Sequence, residues 1–173
     1  MDKKYSISKK ICMLGSFGVG KTSLVRRFVL NQFTEEYRST MGVHIQKQPV
    51  SLTKDASSGI NLILWDIAHI EEFNRVIKDY FRGSSGAVVV FDVTRPQSFQ
   101  ETDIYLKPFL ELNPKSKLIF VGNKIDLVDK KSYNMEQLLQ ISKTYNSLSF
   151  LTSAKTSENV DELFHKLAAL LVR

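Results

Sequence analysis

Apolar runs and helix-spaced stripes alternate along the whole chain. Lys10–Leu14, Asn61–Trp65, Gly86–Phe91, Lys117–Val121 and Leu148–Leu151 read as strands. Every residue is apolar in Leu62–Trp65, Ala87–Phe91 and Leu118–Val121, the pattern of strands covered on both faces in a parallel sheet between helices. Helical patterns lie between the strands. In the last one Val160, Leu163, Phe164, Leu167, Leu170 and Leu171 form one apolar stripe, with Asp161, Glu162 and Lys166 off it. Asn134 with Gln137 predicts a capping box opening a helix to Tyr145. Pro96 suits the first turn of the helix that follows it. The most polar short segment, Thr53–Gly59, predicts a hairpin loop. Strand–helix alternation predicts an α/β layered fold with mostly parallel strands, and such sheets bind ligands at the carboxyl ends of their strands.

Composition narrows the class without choosing a function. The 173 residues suit one domain spanning 1–173, large enough to bury a core without disulfides. Hydrophobic residues at 43% and charged residues at 24% argue against a disordered or fibrous chain. Cys12 is the only cysteine, which excludes an internal disulfide and a cysteine-based zinc cluster. No run of 18 apolar residues is present to span a membrane, and no apolar stretch follows the basic start as a secretory signal would. Position 2 is not glycine and Leu170–Arg173 holds no cysteine, so the chain carries no lipidation signal as it stands. The formal charge of +6 is scattered over the chain, from Lys3 and Lys4 to Lys130 and Lys131, so nucleic acid is not an expected partner.

Chemistry appears directly after the first strand. Gly15-Ser16-Phe17-Gly18-Val19-Gly20-Lys21-Thr22 matches G-x-x-x-x-G-K-[ST], with a helical pattern (Leu24, Val25, Phe28, Val29) behind it. Glycines let backbone N–H groups turn inward around a polyphosphate, and the helix N-terminus, which Ser23 continues, adds positive potential. Lys21 reaches the β and γ phosphates, and the Thr22 hydroxyl binds Mg²⁺. The loop implies a nucleoside polyphosphate but leaves the base open.

The base is addressed by Asn123-Lys124-Ile125-Asp126, at the end of a buried strand, and Ser153-Ala154-Lys155, after the last strand. Alone, the tetrapeptide suits a polar strand-end turn, the more ordinary reading; its place after the fourth parallel-type strand changes the balance. The Asp126 carboxylate can accept from the N1–H and exocyclic amine of guanine, whereas adenine would leave it unpaired. Lys124 can lay its aliphatic stem over the base, and the Ala154 N–H can donate to the guanine oxygen.

With these motifs in order, the chain resembles the Ras superfamily of small GTPases, most closely the Rab-like branch. The resemblance covers Ser8–Val172, leaving residues 1–7 as a short extension. Besides the loops above it rests on Thr40 within Tyr37–Val43, Trp65-Asp66, Tyr80-Phe81-Arg82-Gly83 and Val90-Phe91-Asp92-Val93-Thr94. It implies a P-loop fold with a six-stranded, mostly parallel sheet flanked by five helices. The second strand, about Ile45–Leu52, would run antiparallel to the third. It also implies GTP/GDP with Mg²⁺ as cofactors, a monomer, and effector and regulator proteins recognised through two switch loops. The setting would be cytoplasmic, at most peripheral to membranes, in signalling or vesicle trafficking. Phe33 would meet the guanine edge, Thr40 would bind Mg²⁺ and sense the γ-phosphate, and Asp66 would hold the Mg²⁺ shell.

Three positions near the chemistry, and one beside the first switch, depart from the family. The second switch reads Asp66-Ile67-Ala68-His69-Ile70-Glu71 in place of Asp-x-x-Gly-Gln. Ile70 stands where a glutamine orients the attacking water, and His69 stands where a glycine gives its backbone N–H to the γ-phosphate. Phe17 sits in the phosphate loop where relatives carry a small residue, beside the entry of an arginine finger. Among Lys21, Thr40, His69 and Ile70, the residues nearest the chemistry, these changes imply slow GTP hydrolysis. Two alternatives stay open: a competent GTPase in which His69 or a partner residue positions water, and a nucleotide-insensitive binding module. Glu71 and Glu72 suit solvated helix-start carboxylates, and His44, in place of an acidic residue beside the first switch, suits partner recognition.

Overall fold

The apolar strands form one sheet in the order β2-β3-β1-β4-β5-β6. The computed structural model describes residues 5–35, 40–68, 75–129 and 133–172. Its strands are β1 (Ser8–Leu14), β2 (Val43–Ser51), β3 (Gly59–Ile67), β4 (Gly86–Asp92), β5 (Lys117–Asn123) and β6 (Leu148–Thr152). Only β2 runs antiparallel, paired with β3 from Val43↔Ile67 to Ser51↔Gly59 across the expected hairpin loop. The helices are α1 (Lys21–Leu30), α2 (Arg75–Phe81), α3 (Gln97–Gln100), α4 (Thr102–Leu112), α5 (Glu136–Thr144) and α6 (Val160–Leu170). Only Glu101, itself helical at φ −78°, separates α3 from α4. The pair is therefore one interrupted helix, and the set matches the five expected around a six-stranded sheet.

Side-chain alternation along the strands divides the core in two. Ile11, Met13, Leu62, Leu64, Val88 and Val90 face α1 and α6, which contribute Leu24, Leu163, Phe164 and Leu167. Cys12, Leu14, Val89, Phe91 and Phe120 face Phe81 of α2, Leu106 and Phe109 of α4 and Leu138 of α5. Cys12 is fully buried with Sγ 3.1 Å from the Ser84 hydroxyl. Burial raises its thiol pKa to about 11, against the opposing pull of Ser84 and Lys10.

Two sequence expectations are corrected. β4 is buried throughout and β5 from Leu118 onward, but β3 is only partly covered on its second face, at Ile63 and Trp65. Ile63 and Trp65 stay half-exposed, and the Lys10 ammonium lies 3.8 Å from the centre of the Trp65 ring. An aliphatic–aromatic run reads the same whether its second face is sealed or, as at Trp65, shared between Tyr80 of α2 and a lysine stem. The capping box is shifted as well: Met135 is the N-cap of α5, and Asn134 Oδ1 accepts the Glu136 N–H at 2.7 Å from one residue further out. The helix ends at Thr144, with Tyr145 as its C-cap.

Candidate nucleotide-binding site

β1 and β4 are neighbours whose following loops diverge, so their carboxyl ends open a crevice at the centre of the sheet. The loop after β1 folds tightly into it. Gly15 has φ 138° and a Cβ there would stand 2.3 Å from the Val90 carbonyl oxygen. Gly20, at φ 101°, is the N-cap of α1 and makes no side-chain cap, so the first N–H groups of that helix face the crevice. A Cβ on Gly20 would meet Asn123 Nδ2 at 2.2 Å. Val19 is wholly buried beneath the loop and anchors it.

Above the loop lies a cavity of about 400 Å³. Phe17, Gly18, Gly20, Lys21, Thr22 and Ser23 line it from the phosphate loop. Phe33 and Thr40 line it from the segment after α1, and Asn123, Lys124, Asp126, Ala154 and Lys155 from the far side. Sequence elements more than a hundred residues apart thus converge on one cavity. His69 and Ile70 lie outside the described residues.

On the phosphate side, the Lys21 ammonium donates to the carbonyls of Gly15 at 2.7 Å and Ser16 at 3.0 Å. Burial lowers its pKa to about 8, with Asp66 opposing the shift and Arg95 adding to it. The Thr22 hydroxyl donates to Asp66 Oδ2 at 2.6 Å and lies 2.7 Å from Thr40 Oγ1. Burial raises the Asp66 carboxyl above its ordinary value, against the Thr22 bond. Asp66 Oδ1 is buried and has no hydrogen-bond partner, an arrangement that calls for a cation or water. Three clustered oxygens, one anionic and half unsatisfied, form a hard-donor set of the kind Mg²⁺ takes. The residues present therefore fit that ion.

On the base side, Asn123 ties three segments together. Its amide donates to the Val19 carbonyl at 3.0 Å, and its oxygen accepts from Thr152 Oγ1 at 3.2 Å and the Ala154 N–H at 3.3 Å. Ser153, expected in the pocket wall, is fully buried instead and donates to Asp126 Oδ1 at 2.6 Å. It aims the carboxylate, whose oxygens keep further lone pairs for a ligand. Lys124, in the left-handed region at φ 70°, stretches past the cavity to place its ammonium 2.6 Å from Asp92 Oδ2. Phe33 is 36% exposed and lines the cavity.

The sequence model of the Ras family matches residues 10–173. The chain belongs to the Ras family. It is 36% identical over 170 residues to Ras-related protein RABF2a of Arabidopsis thaliana, covering 97% of this chain and 83% of that protein. Ras-related protein RABF2b of the same plant is 37% identical over 173 residues, again at 97% and 83%. Ras-related protein Rab-13 of Canis lupus familiaris is 34% identical over 169 residues, at 97% and 82%. As a Rab-like small GTPase, the chain is a GTP-binding regulator. No helix among the described residues is long and apolar enough to cross a membrane.

Three charged residues of this Ras-family site escaped the sequence reading. Asp92 is 1% exposed and accepts from Lys124 and, at 3.2 Å, from Arg95 Nε. Its other oxygen accepts the Thr94 N–H at 3.0 Å and hydroxyl at 2.6 Å. Burial opposes the charge, but the Lys124 and Thr94 bonds outweigh it, and the carboxyl pKa is lowered. Arg95 Nη2 continues to the Phe17 carbonyl at 2.5 Å, so one carboxylate links the base motif to the lip of the phosphate loop. Arg27 on α1 reaches the Ser153–Lys155 loop. Asp92 was marked in the sequence only by its place in the Val90–Thr94 motif at the end of an apolar strand, without a role; the two arginines left no signal.

Proposed function

We propose that this Rab-like protein is a guanine-nucleotide switch that binds GTP and GDP with Mg²⁺ and hydrolyses GTP slowly. The observation that carries the reading is the single cavity lined both by the phosphate loop with Lys21 and by Asp126 with Ala154. Lys21 and the α1 N-terminus neutralise phosphate oxygens, while Asp126, braced by Ser153, selects the guanine N1–H and amine. Thr22, Thr40 and Asp66 would hold Mg²⁺, which when bound offsets the charge of the β and γ phosphates. Thr40 lies on the first switch and reports the γ-phosphate to partners that read the two switch loops.

Slow hydrolysis rests on chemistry the sequence withholds. Phosphoryl transfer to water is mostly positioning and charge stabilisation. Ile70 has no hydrogen-bonding group to orient water. Phe17 stands at the cavity lip, 46% exposed, with its carbonyl held by Arg95. An arginine finger, worth ~10³–10⁵ in rate in this reaction class, would have to pass that ring. The protein would act in the cytoplasm, peripheral to a membrane at most.

Nucleotide extracted from the purified protein and separated by chromatography should be guanine nucleotide; recovered ATP would overturn the assignment. Single-turnover GTP hydrolysis should run no faster than ~10⁻⁴ s⁻¹, the scale of an unaided relative. Ile70→Gln, alone and with Phe17→Ser, should raise that rate. A fast wild type, or no gain in either variant, would refute the impairment.

A further inference from the structure

Arg27 is half-buried near the end of α1, and its guanidinium donates four hydrogen bonds within 3.2 Å. Nε donates to the Ala154 carbonyl at 2.8 Å and Nη2 to the Lys155 carbonyl at 3.0 Å. Nη1 donates to both the carbonyl and the side-chain oxygen of Asn31, at 3.2 and 3.1 Å. Asn31 is the left-handed C-cap of the same helix, and its N–H returns to the Arg27 carbonyl at 3.0 Å. The planar fork is therefore fixed on its own helix and grips two successive peptides of a loop 127 and 128 residues away in sequence.

The opposite side of that loop is held differently. Ser153 is tied to Asp126, and the Ala154 N–H rests on Asn123 Oδ1 at 3.3 Å, a long bond that the amide can share with an incoming acceptor. The direction of this amide, the expected donor to the guanine oxygen, depends on what holds the peptides beyond it. Arg27 holds them. α1 is itself anchored: Phe28 stacks on Phe164 of α6 at 4.2 Å, and the helix begins in the phosphate loop.

We infer that Arg27 is a positioning residue for recognition of the guanine 6-oxo group: it sets the Ala154–Lys155 peptide, and so the Lys155 N–H directly and the adjoining Ala154 N–H through the chain, and couples them through α1 to the phosphate loop. The inference rests on the guanine reading above. Lysine would not replace it, because a single ammonium cannot span two carbonyls and Asn31 at fixed angles.

The test separates the atoms of the base. Dissociation constants are measured for GDP, ADP, IDP (no 2-amino group) and 6-thio-GDP (sulfur for the 6-oxygen). Wild type, Arg27→Ala and Arg27→Lys are compared, with circular dichroism confirming the fold of each. The wild type should prefer GDP to 6-thio-GDP and to IDP. Arg27→Ala should lose about three- to tenfold of the GDP/6-thio-GDP preference, the scale of one hydrogen bond, while GDP/IDP, read by Asp126, stays unchanged. Arg27→Lys should fall between. A wild type indifferent between GDP and ADP would sink the guanine reading itself. Guanine preference with both ratios falling together, with neither falling, or with no wild-type preference over 6-thio-GDP would overturn the role of Arg27. If Arg27→Ala does not fold, Arg27→Lys and Asn31→Ala carry the same comparison.

Discussion

On the base side of the cavity, Asn123, Asp126, Ser153 and Ala154 hydrogen-bond to one another and to the phosphate loop. On the phosphate side, Asp66 Oδ1 and Ser16 Oγ are buried with no partner, and Lys21 is satisfied only by backbone carbonyls. The first network is braced by its own hydrogen bonds yet keeps lone pairs on Asp126 and a shareable Ala154 N–H, so a ligand that leaves them unmatched is penalised. The second has polar groups whose best partners are charged, so its geometry depends on what binds. On the proposed reading, one half would read the base and the other would respond to phosphate and cation.

The comparison can be broken at several points, and the largest effect belongs to the base side. Asp126→Asn should cut the preference for GDP over ADP by ~10³ or more, measured by competition binding; a surviving preference would mean that the braced half does not read the base. Next is the joint between the halves. Gly20→Ala puts a Cβ into Asn123 Nδ2 at φ 101°, and should destabilise the protein by about 2–4 kcal/mol in urea unfolding. A loss inside about 0.5 kcal/mol would show that the halves are not interlocked there.

Asp92→Asn tests the link at the lip and should cost about 1–3 kcal/mol near neutral pH. The sign with pH follows from its lowered carboxyl pKa. Stability from the ionised Asp92 is present above the ordinary aspartate value and is lost as pH falls through the lower folded value. The variant should therefore lose stability less steeply on acidification; identical acid profiles would remove Asp92 from the link. The smallest effect is expected of Phe17→Ser. With Phe17 46% exposed, its thermal stability should stay within about 0.5 kcal/mol of wild type. A larger drop would make Phe17 part of the braced frame.

The sequence carried the parts of this site that are local. Gly15–Thr22 and Asn123–Asp126 are contiguous runs whose spacing carries the proposed chemistry, and the strand–helix alternation placed them at strand ends. Periodicity also found the buried strands and the α6 stripe. What it could not carry were side chains acting across the sheet. Arg27, Arg95 and Asp92 join segments 127, 78 and 32 residues apart, and no local pattern separates an arginine gripping a distant carbonyl from one in water. The partial exposure of Ile63 and Trp65 on β3 was missed for a related reason: hydropathy records what a strand offers, not how far neighbours such as Lys10 and Tyr80 cover it. The helix break at Glu101 left no proline or glycine at the break to announce it.

Cys12 has a practical consequence. It is the only thiol in the chain, and thiols react as thiolates. Sealed in β1 with a pKa near 11, it is silent toward alkylating reagents until the centre of the sheet opens. Its rate of modification is therefore a stopwatch for that opening, built into the unmodified protein. The same silence lets a cysteine introduced on either switch be labelled alone, so that a single dye or spin probe can follow loop movement without first removing a native thiol.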